Sequence, residues 1–395
     1  MDLNKFLGRN QSIFSTDLNV RGYEIDTIIQ SSKILVIGGA GSIGQAVVKA
    51  IFSRNPKLLH VVDISENNLV ELVRSLRSNI GYNSGEFATY AIDAGSIEFQ
   101  ALIKNNSTYD YILNLAALKH VRSEADPYTM MRMFKVNILD PISIMHQACA
   151  ERGNKYFCVS TDKAANPVNM MGATKRLMER ALEVANHNNS ISFARFANVA
   201  FSDGSLLHGF MRRMQSKEPF SAPKNISRYF MTPDEAAELC LFSCFLGQNL
   251  DIFIPKQEKV LEPILFTKIA EKFLNEAGYE PFECESEEEA RKNSIELIKT
   301  GKWPCYFFDS DTTGEKILEE FYTDSETVDR KTFETIGVIK PLENKSNFNI
   351  DEFIVEIKNL RHTNDWDREK LLLIAKEYLP EFSHIETGKF LNDRM

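Results

Sequence analysis

The chain has 395 residues, 43% hydrophobic and 26% charged, the balance of a globular protein with room for one large α/β domain and an appendage. No apolar run is long enough to span a bilayer, and the opening Met1-Asp-Leu-Asn-Lys-Phe-Leu-Gly8 lacks an apolar signal core, so the expectation is a cytoplasmic protein without membrane insertion. Of the net charge of −9, a balance of −8 falls in residues 283–330, where 14 acidic residues stand against 6 basic ones; this argues for a solvated outer face and against nucleic acid.

Residues 1–30 carry short helical signals. Lys33-Ile-Leu-Val-Ile-Gly38 is a buried-strand run, followed by a helix pattern from Ile43 to Phe52. Leu58–Asp63 reads as a second strand and Asn67–Ser78 as a second helix. Further strands are predicted at Phe87–Asp93, Tyr109–Ala117, Lys155–Ser160 and Ile191–Val199. Strands alternating with helices predict βαβ units and a doubly wound parallel sheet, with ligands outside the carboxyl ends of the strands. From about Phe201 the alternation stops. Thr232-Pro-Asp-Glu235 carries an N-cap, a first-turn proline and a capping-box acid. Beyond Glu283 the chain is acidic, then mixed and helical to Met395. The expected organisation is a helical segment (1–30), a nucleotide-binding domain (31–200), a substrate-binding region (201–282) and a mostly helical extension (283–395).

The six cysteines make no Cys-x-x-Cys pair, and the histidines are scattered, so no metal site is predicted. Cys240 and Cys244 share a helical face and read as reduced core thiols.

Gly38-Gly-Ala-Gly41-Ser42-Ile43-Gly44 lies between the first strand and the first helix. That spacing lets the backbone approach a pyrophosphate while the helix N-terminus points its N–H groups at the charge. Asp63 ends the next strand, where an acid binds a ribose diol. A carboxylate there repels a 2′-phosphate, and no Arg or Lys follows at once, which favours NAD over NADP. Asp93, after the third strand, has two readings: an adenine contact or a turn acid.

Ser160-Thr-Asp-Lys-Ala-Ala-Asn-Pro-Val-Asn-Met-Met171-Gly-Ala-Thr-Lys175 resembles the active-site stretch of short-chain dehydrogenase/reductases, with Met171 where the tyrosine of Tyr-x-x-x-Lys stands. A thioether has no proton to exchange. Together with Gly-Ser-Ile-Gly, Asn-Leu-Ala-Ala-Leu-Lys-His-Val (114–121), Arg-Phe-Ala-Asn-Val (195–199) and Arg-Tyr-Phe-Met-Thr (228–232), it resembles the nucleotide-sugar 4,6-dehydratases of bacterial polysaccharide biosynthesis. Within them it is most similar to UDP-N-acetylglucosamine 4,6-dehydratases that carry Met for Tyr. The resemblance covers about residues 30–270. The part around Trp303–Gly314 is similar to a soluble subgroup on routes to diamino sugars or nonulosonic acids. Three positions depart from the pattern: Ile37 for threonine, Ala197 for glycine, and Ser202-Asp-Gly-Ser for a Ser-(Arg/Ser)-Gly-Ser loop.

The resemblance implies a Rossmann-like fold, a homo-oligomer, and a tightly held NAD that is reduced and reoxidised in each turnover. Hydride leaves sugar C4, water is lost across C5–C6, and the hydride returns to C6. Met171 can move none of the protons. The resemblance assigns Asp162 as acid toward the 6-hydroxyl, Lys163 as base at C5 and Thr161 as holder of the 4-hydroxyl. Burial, Lys175 and the charge of NAD⁺ are expected to lower the pKa of Lys163. Lys175 would hold the nicotinamide ribose, and Ala116 would face the cofactor. Lys119 and His120 would steady cofactor or substrate, with a surface ion pair as the other reading of Lys119. Asn198 and Arg228 would grip the substrate diphosphate. The alternatives are a C5-inverting dehydratase, a GDP-linked substrate, a catalytically inactive NAD-binding protein, and a partner-binding role for residues 283–395.

Overall fold

The computed structural model describes residues 2–106, 108–149, 154–186, 189–341 and 349–390. Its centre is a nine-stranded sheet. Six strands come first in the chain: β1 (Lys33–Ile37), β2 (Leu58–Asp63), β3 (Glu86–Ala91), β4 (Tyr111–Asn114), β5 (Lys155–Thr161) and β6 (Ser190–Phe196). They pair in parallel in the order β3-β2-β1-β4-β5-β6. β5 is buried except at its last residue, as a parallel sheet with helices on both faces requires. The order reverses between β1 and β4, so a crevice opens where Gly38 and Leu115 leave the sheet.

Beyond β6 the sheet continues with strands from later in the chain. Asp251–Pro255 pairs in parallel with β6; Ile336–Ile339 and Val328–Asp329 follow antiparallel. The expected boundaries at 201 and 283 are therefore not boundaries of the main sheet. Ile252-Phe-Ile254, closed by Pro255, is a short apolar run of the kind that marks a buried strand. The extension is also less helical than expected. Among the described residues it has three helices, Glu287–Lys299, Ile350–Thr363 and Arg368–Tyr378, but between the first two run the strand Lys302–Phe308 and a long irregular strap.

A second, smaller core lies on the carboxyl side of the sheet. Phe6, Phe210, Phe220, Phe273 and Trp303 meet there, under a three-stranded parallel sheet of Glu280–Glu283, Lys302–Phe308 and Phe220–Pro223. Thr232 caps the helix Pro233–Leu241 in a capping box with Glu235, as predicted. All six cysteines are buried and free. No helix among the described residues is long and apolar enough to cross a membrane.

Candidate active site

The glycine turn is shaped by close approach. Gly38 has φ +74°, and a Cβ on it would stand 2.6 Å from the Ala116 nitrogen, so the turn after β1 lies against the loop after β4. A Cβ on Gly44 would stand 2.1 Å from the Gly38 carbonyl oxygen. Gly41 has no such neighbour and leaves its side of the turn open. The Ala40 N–H donates to Asp63 Oδ2 at 2.9 Å, which fixes the turn to the end of β2. Asp63, Asp93 and Ala116 line one cavity of ≈ 290 Å³ beside Gly38 and Gly41. Gly38, Gly41, Ser42, Ile43 and Gly44 also line a neighbouring cavity of ≈ 340 Å³, with Lys119, His120, Thr161, Lys163, Met171, Lys175 and Asn198 on its walls. Two cavities joined at a glycine turn, with an acid at the far end, fit a dinucleotide laid across the switch point.

Thr161 ends β5, and a single 3₁₀ turn, Asp162–Ala164, follows. The Thr161 hydroxyl donates to Asp162 Oδ1 at 2.8 Å, and Lys163 Nζ donates to the same oxygen at 3.0 Å. Lys163 Nζ also donates to Asn198 Oδ1 at 3.1 Å. The helix Met170–Ala185 begins beside this turn, capped by Asn169. Gly172 permits the contact, because a Cβ there would lie 2.2 Å from the Lys163 carbonyl oxygen. Met171 is thus pressed into the cavity wall, 4% exposed. One turn on, Lys175 Nζ donates to the Val159 carbonyl at 2.9 Å, and burial lowers its pKa. Asn137, on a π-helical turn at Lys135–Leu139, exchanges hydrogen bonds with both backbone groups of Leu118 and so holds the loop that carries Lys119 and His120. Burial, with Lys119 and Arg122, lowers the His120 pKa, which leaves the ring neutral at pH 7.

Three expectations change. Lys163 is not depressed: burial pulls it down, but Asp162 and Glu319 outweigh burial and the opposing Arg228, and its pKa lies above the ordinary lysine value. Asp162 is 2% exposed and sits behind Lys163, outside the cavity wall. Arg228 does not face the cavity either. It is 4% exposed, its Nη1 donates to the carbonyls of Ser227, Lys316 and Ile317, and its Nη2 lies 3.6 Å from Glu315 and 3.8 Å from Glu319. The reason is the strap, whose Lys316 and Ile317 carbonyls take Nη1 and whose Glu315 and Glu319 carboxylates stand beside Nη2.

Two features escaped the sequence reading. One is that strap. The other is a basic cavity of ≈ 740 Å³ next to the first, where Arg122, Arg212, Arg213 and His208 stand with His120 against Asp203 and Glu315. Arg212 and Arg213 lie on the helix Leu206–Ser216, whose basic pair was the available signal. Gly204 (φ +71°) is required there, since a Cβ would meet His120 Cε1 at 2.4 Å. The neighbouring Asp203 closes over the glycine turn and accepts from the Ser42 hydroxyl at 2.9 Å.

A family model described as "Polysaccharide biosynthesis protein" matches residues 34–341. The chain belongs to that family. It is 31% identical to an uncharacterized membrane protein of Methanocaldococcus jannaschii over 90% of this chain and 98% of that one. It is 28% identical to the capsular polysaccharide biosynthesis protein CapD of Staphylococcus aureus over 88% of this chain, but spans only 53% of CapD. It is 29% identical to the UDP-N-acetylglucosamine 4,6-dehydratase (inverting) of Campylobacter jejuni over 58% of this chain and 68% of that one. Among solved structures, Pen from Bacillus thuringiensis superposes with a TM-score of 0.65 at 21% identity, covering 85% of this chain and 99% of Pen. The UDP-glucuronic acid 4-epimerase of Bacillus cereus, solved with a fluorinated UDP-sugar and NAD, gives 0.53 at 18% identity over 74% of this chain and 90% of that one. At these identities the likeness is one of fold, a Rossmann-type sheet with the crevice described above.

Proposed function

We propose that the chain is an NAD-dependent nucleotide-sugar 4,6-dehydratase acting on UDP-N-acetylglucosamine with C5 retained. The observation that carries this reading is the Asp162–Lys163 pair, 3.0 Å apart at the end of β5, with Lys163 in the cavity wall beside Met171. The site has an acid and a base where the helix offers only a thioether. A dehydration needs both, and a binding module needs neither. The cavity by the glycine turn fits NAD, which supplies hydride removal and return. Asp63 favours a free ribose diol over a 2′-phosphate.

Burial pulls the Lys163 pKa down, but Asp162 and Glu319 hold it above the ordinary value, so Lys163 rests as an ammonium. Moving one proton along the 3.0 Å contact breaks an N–H bond on Lys163 and forms an O–H bond on Asp162. The pair then holds an amine to take the C5 proton and an acid to release the 6-hydroxyl, with no proton gained or lost. Because Asp162 is buried behind Lys163, its proton reaches the leaving hydroxyl through the Thr161 hydroxyl, which lines the cavity and lies 2.8 Å from Asp162 Oδ1; at rest that hydroxyl donates to the carboxylate, and in the relay it turns to accept from it while donating onward. Lys175 orients the ribose by the hydrogen bond it exchanges for Val159. Met171 excludes water from the reacting carbon. Three guanidiniums in the basic cavity offer the diphosphate a counter-charge that Arg228, held by the strap, does not.

The inverting relative supports a second reading, in which a proton returns to the opposite face of C5. One experiment addresses both. The purified protein is incubated with UDP-N-acetylglucosamine, without added cofactor, and followed by mass and NMR. Loss of one water with C5 unchanged supports the proposal, and an inverted C5 the second reading. No turnover of UDP- or GDP-linked sugars by protein that holds NAD refutes both.

A further inference from the structure

The strap from Ser310 to Glu326 crosses the outer side of the catalytic turn and is tied to it throughout. Asn169 Nδ2 donates to the Gly314 carbonyl at 2.7 Å, Lys316 Nζ to the Ala165 carbonyl at 3.0 Å, and Asn166 Nδ2 to Glu320 at 3.0 Å. These bonds insert one carboxylate into the interior. Glu319 is 3% exposed, with Oε1 3.6 Å from Lys163 Nζ and 3.8 Å from Arg228 Nη2. Its other oxygen, Oε2, is buried with no hydrogen-bond partner among the described residues.

A buried carboxylate oxygen without a donor is costly, and a purely structural strap would place a neutral side chain there at less cost. Arg228 is already bonded to three carbonyls, so it does not need Glu319 for anchorage. What changes with Glu319 is the charge balance around Lys163. Asp162 faces the ammonium on its own turn, and Asn198 is neutral. From the other elements come the Arg228 guanidinium and, on the strap, Glu315 and Glu319. Two cations then stand among three carboxylates, of which Glu315 is pushed toward its neutral form by burial.

We propose that Glu319 is a positioning residue: it fixes the charge and aim of Lys163, which makes the strap of the C-terminal segment part of the catalytic centre. The consequence for catalysis rests on the dehydratase reading; the effect on Lys163 does not. With Glu319 in place, Lys163 holds its proton above the ordinary lysine range, because Asp162 and Glu319 outweigh burial. Without it, the ammonium loses one of two opposing carboxylates, and the proton leaves at lower pH.

The test uses the full chain as wild type, Glu319→Gln and Glu319→Asp, with thermal melting as a check on folding. Lys163 is acylated by a small reagent over a pH series and read by peptide mass spectrometry. Glu319→Gln is expected to lower the midpoint of Lys163 modification by about 1–3 pH units, and Glu319→Asp to restore most of it. In turnover of UDP-N-acetylglucosamine, the alkaline fall of kcat should move down by the same interval while KM stays put. Equal midpoints in all three proteins, or an aspartate variant displaced as far as the glutamine one, overturn the proposal. If Glu319→Gln does not fold, Glu319→Met, uncharged and of similar volume, takes its place, and a methionine variant with the wild-type midpoint overturns the proposal. A wild type that turns over no sugar nucleotide refutes the dehydratase reading, while the acylation midpoints still decide the role of Glu319.

Discussion

Arg195→Met should loosen the strap and unfold the protein earlier, by an amount the structure sets. Arg195 is fully buried in β6, and its five N–H donors have five acceptors: Nε and Nη2 on Glu179 at 2.9 and 2.7 Å, Nη1 and Nη2 on Glu326 at 2.8 and 2.8 Å, and Nη1 on the Phe321 carbonyl at 2.9 Å. Methionine fills the volume but leaves two buried carboxylates with Arg176 as their shared cation and, among the described residues, only the Ser160 hydroxyl and the Thr323 N–H as further donors. Removing one partner of such a network costs about 3–5 kcal/mol. At the usual entropy of unfolding per residue, a chain of 395 residues loses about 4–6 °C in Tm.

The loss has a pH signature. Burial pushes Glu326 up, but Arg195, backed by Arg176, pulls it further down, to about 2; Glu179 is lowered by the same arginines against the same burial. Folded-state values below the unfolded ones mean that this stabilisation is present above about pH 4.3 and disappears as the pH falls toward 2. In the variant, acid relieves the uncompensated carboxylates. Melting followed by circular dichroism at pH 7 and at about pH 3.5 should therefore show a gap that narrows in acid. A shift below about 1 °C at pH 7, or a gap that is the same at both values, would mean that the network does not hold the strap.

The remaining expectations concern the site. Lys163→Ala should abolish product while bound NAD stays, measured by nucleotide released on denaturation; an active variant refutes the assigned base. Met171→Leu should keep substantial activity and cost less than about 1.5 kcal/mol, a Tm change of under about 2 °C, because the side chain only packs. Gly44→Ala forces a Cβ to 2.1 Å from the Gly38 carbonyl, so NAD affinity by calorimetry should fall by about tenfold or more, and wild-type binding would contradict the cradle. His120 is neutral and the Asp162–Lys163 pair keeps its proton, so kcat should stay level from about pH 6.5 to about pH 9; a step centred on an ordinary histidine or a lowered lysine would contradict the pair.

The sequence by itself determined the parts whose signals are local. β1, β2, β5 and the first two helices were legible because a buried parallel strand and an amphipathic helix repeat on short periods, and the capping box at Thr232 because it closes within one turn. The glycine turn, Asp63 and Lys163 were legible because they follow or end strands, and Met171 and Lys175 because they stand one turn apart on the helix that comes next in the chain. The tertiary structure alone decided what depends on distant segments. Asp251–Pro255 and Ile336–Ile339 enlarge the sheet through pairings with no local period. Arg228 was read as a phosphate ligand because its motif allows that, and the strap, some 90 residues later, turned it inward. The Lys163 pKa went up rather than down for the same reason. Burial is visible in a pattern of apolar residues, but the sign of a buried charge's shift depends on which other charges the fold places within a few ångströms, and Glu319 is 156 positions away.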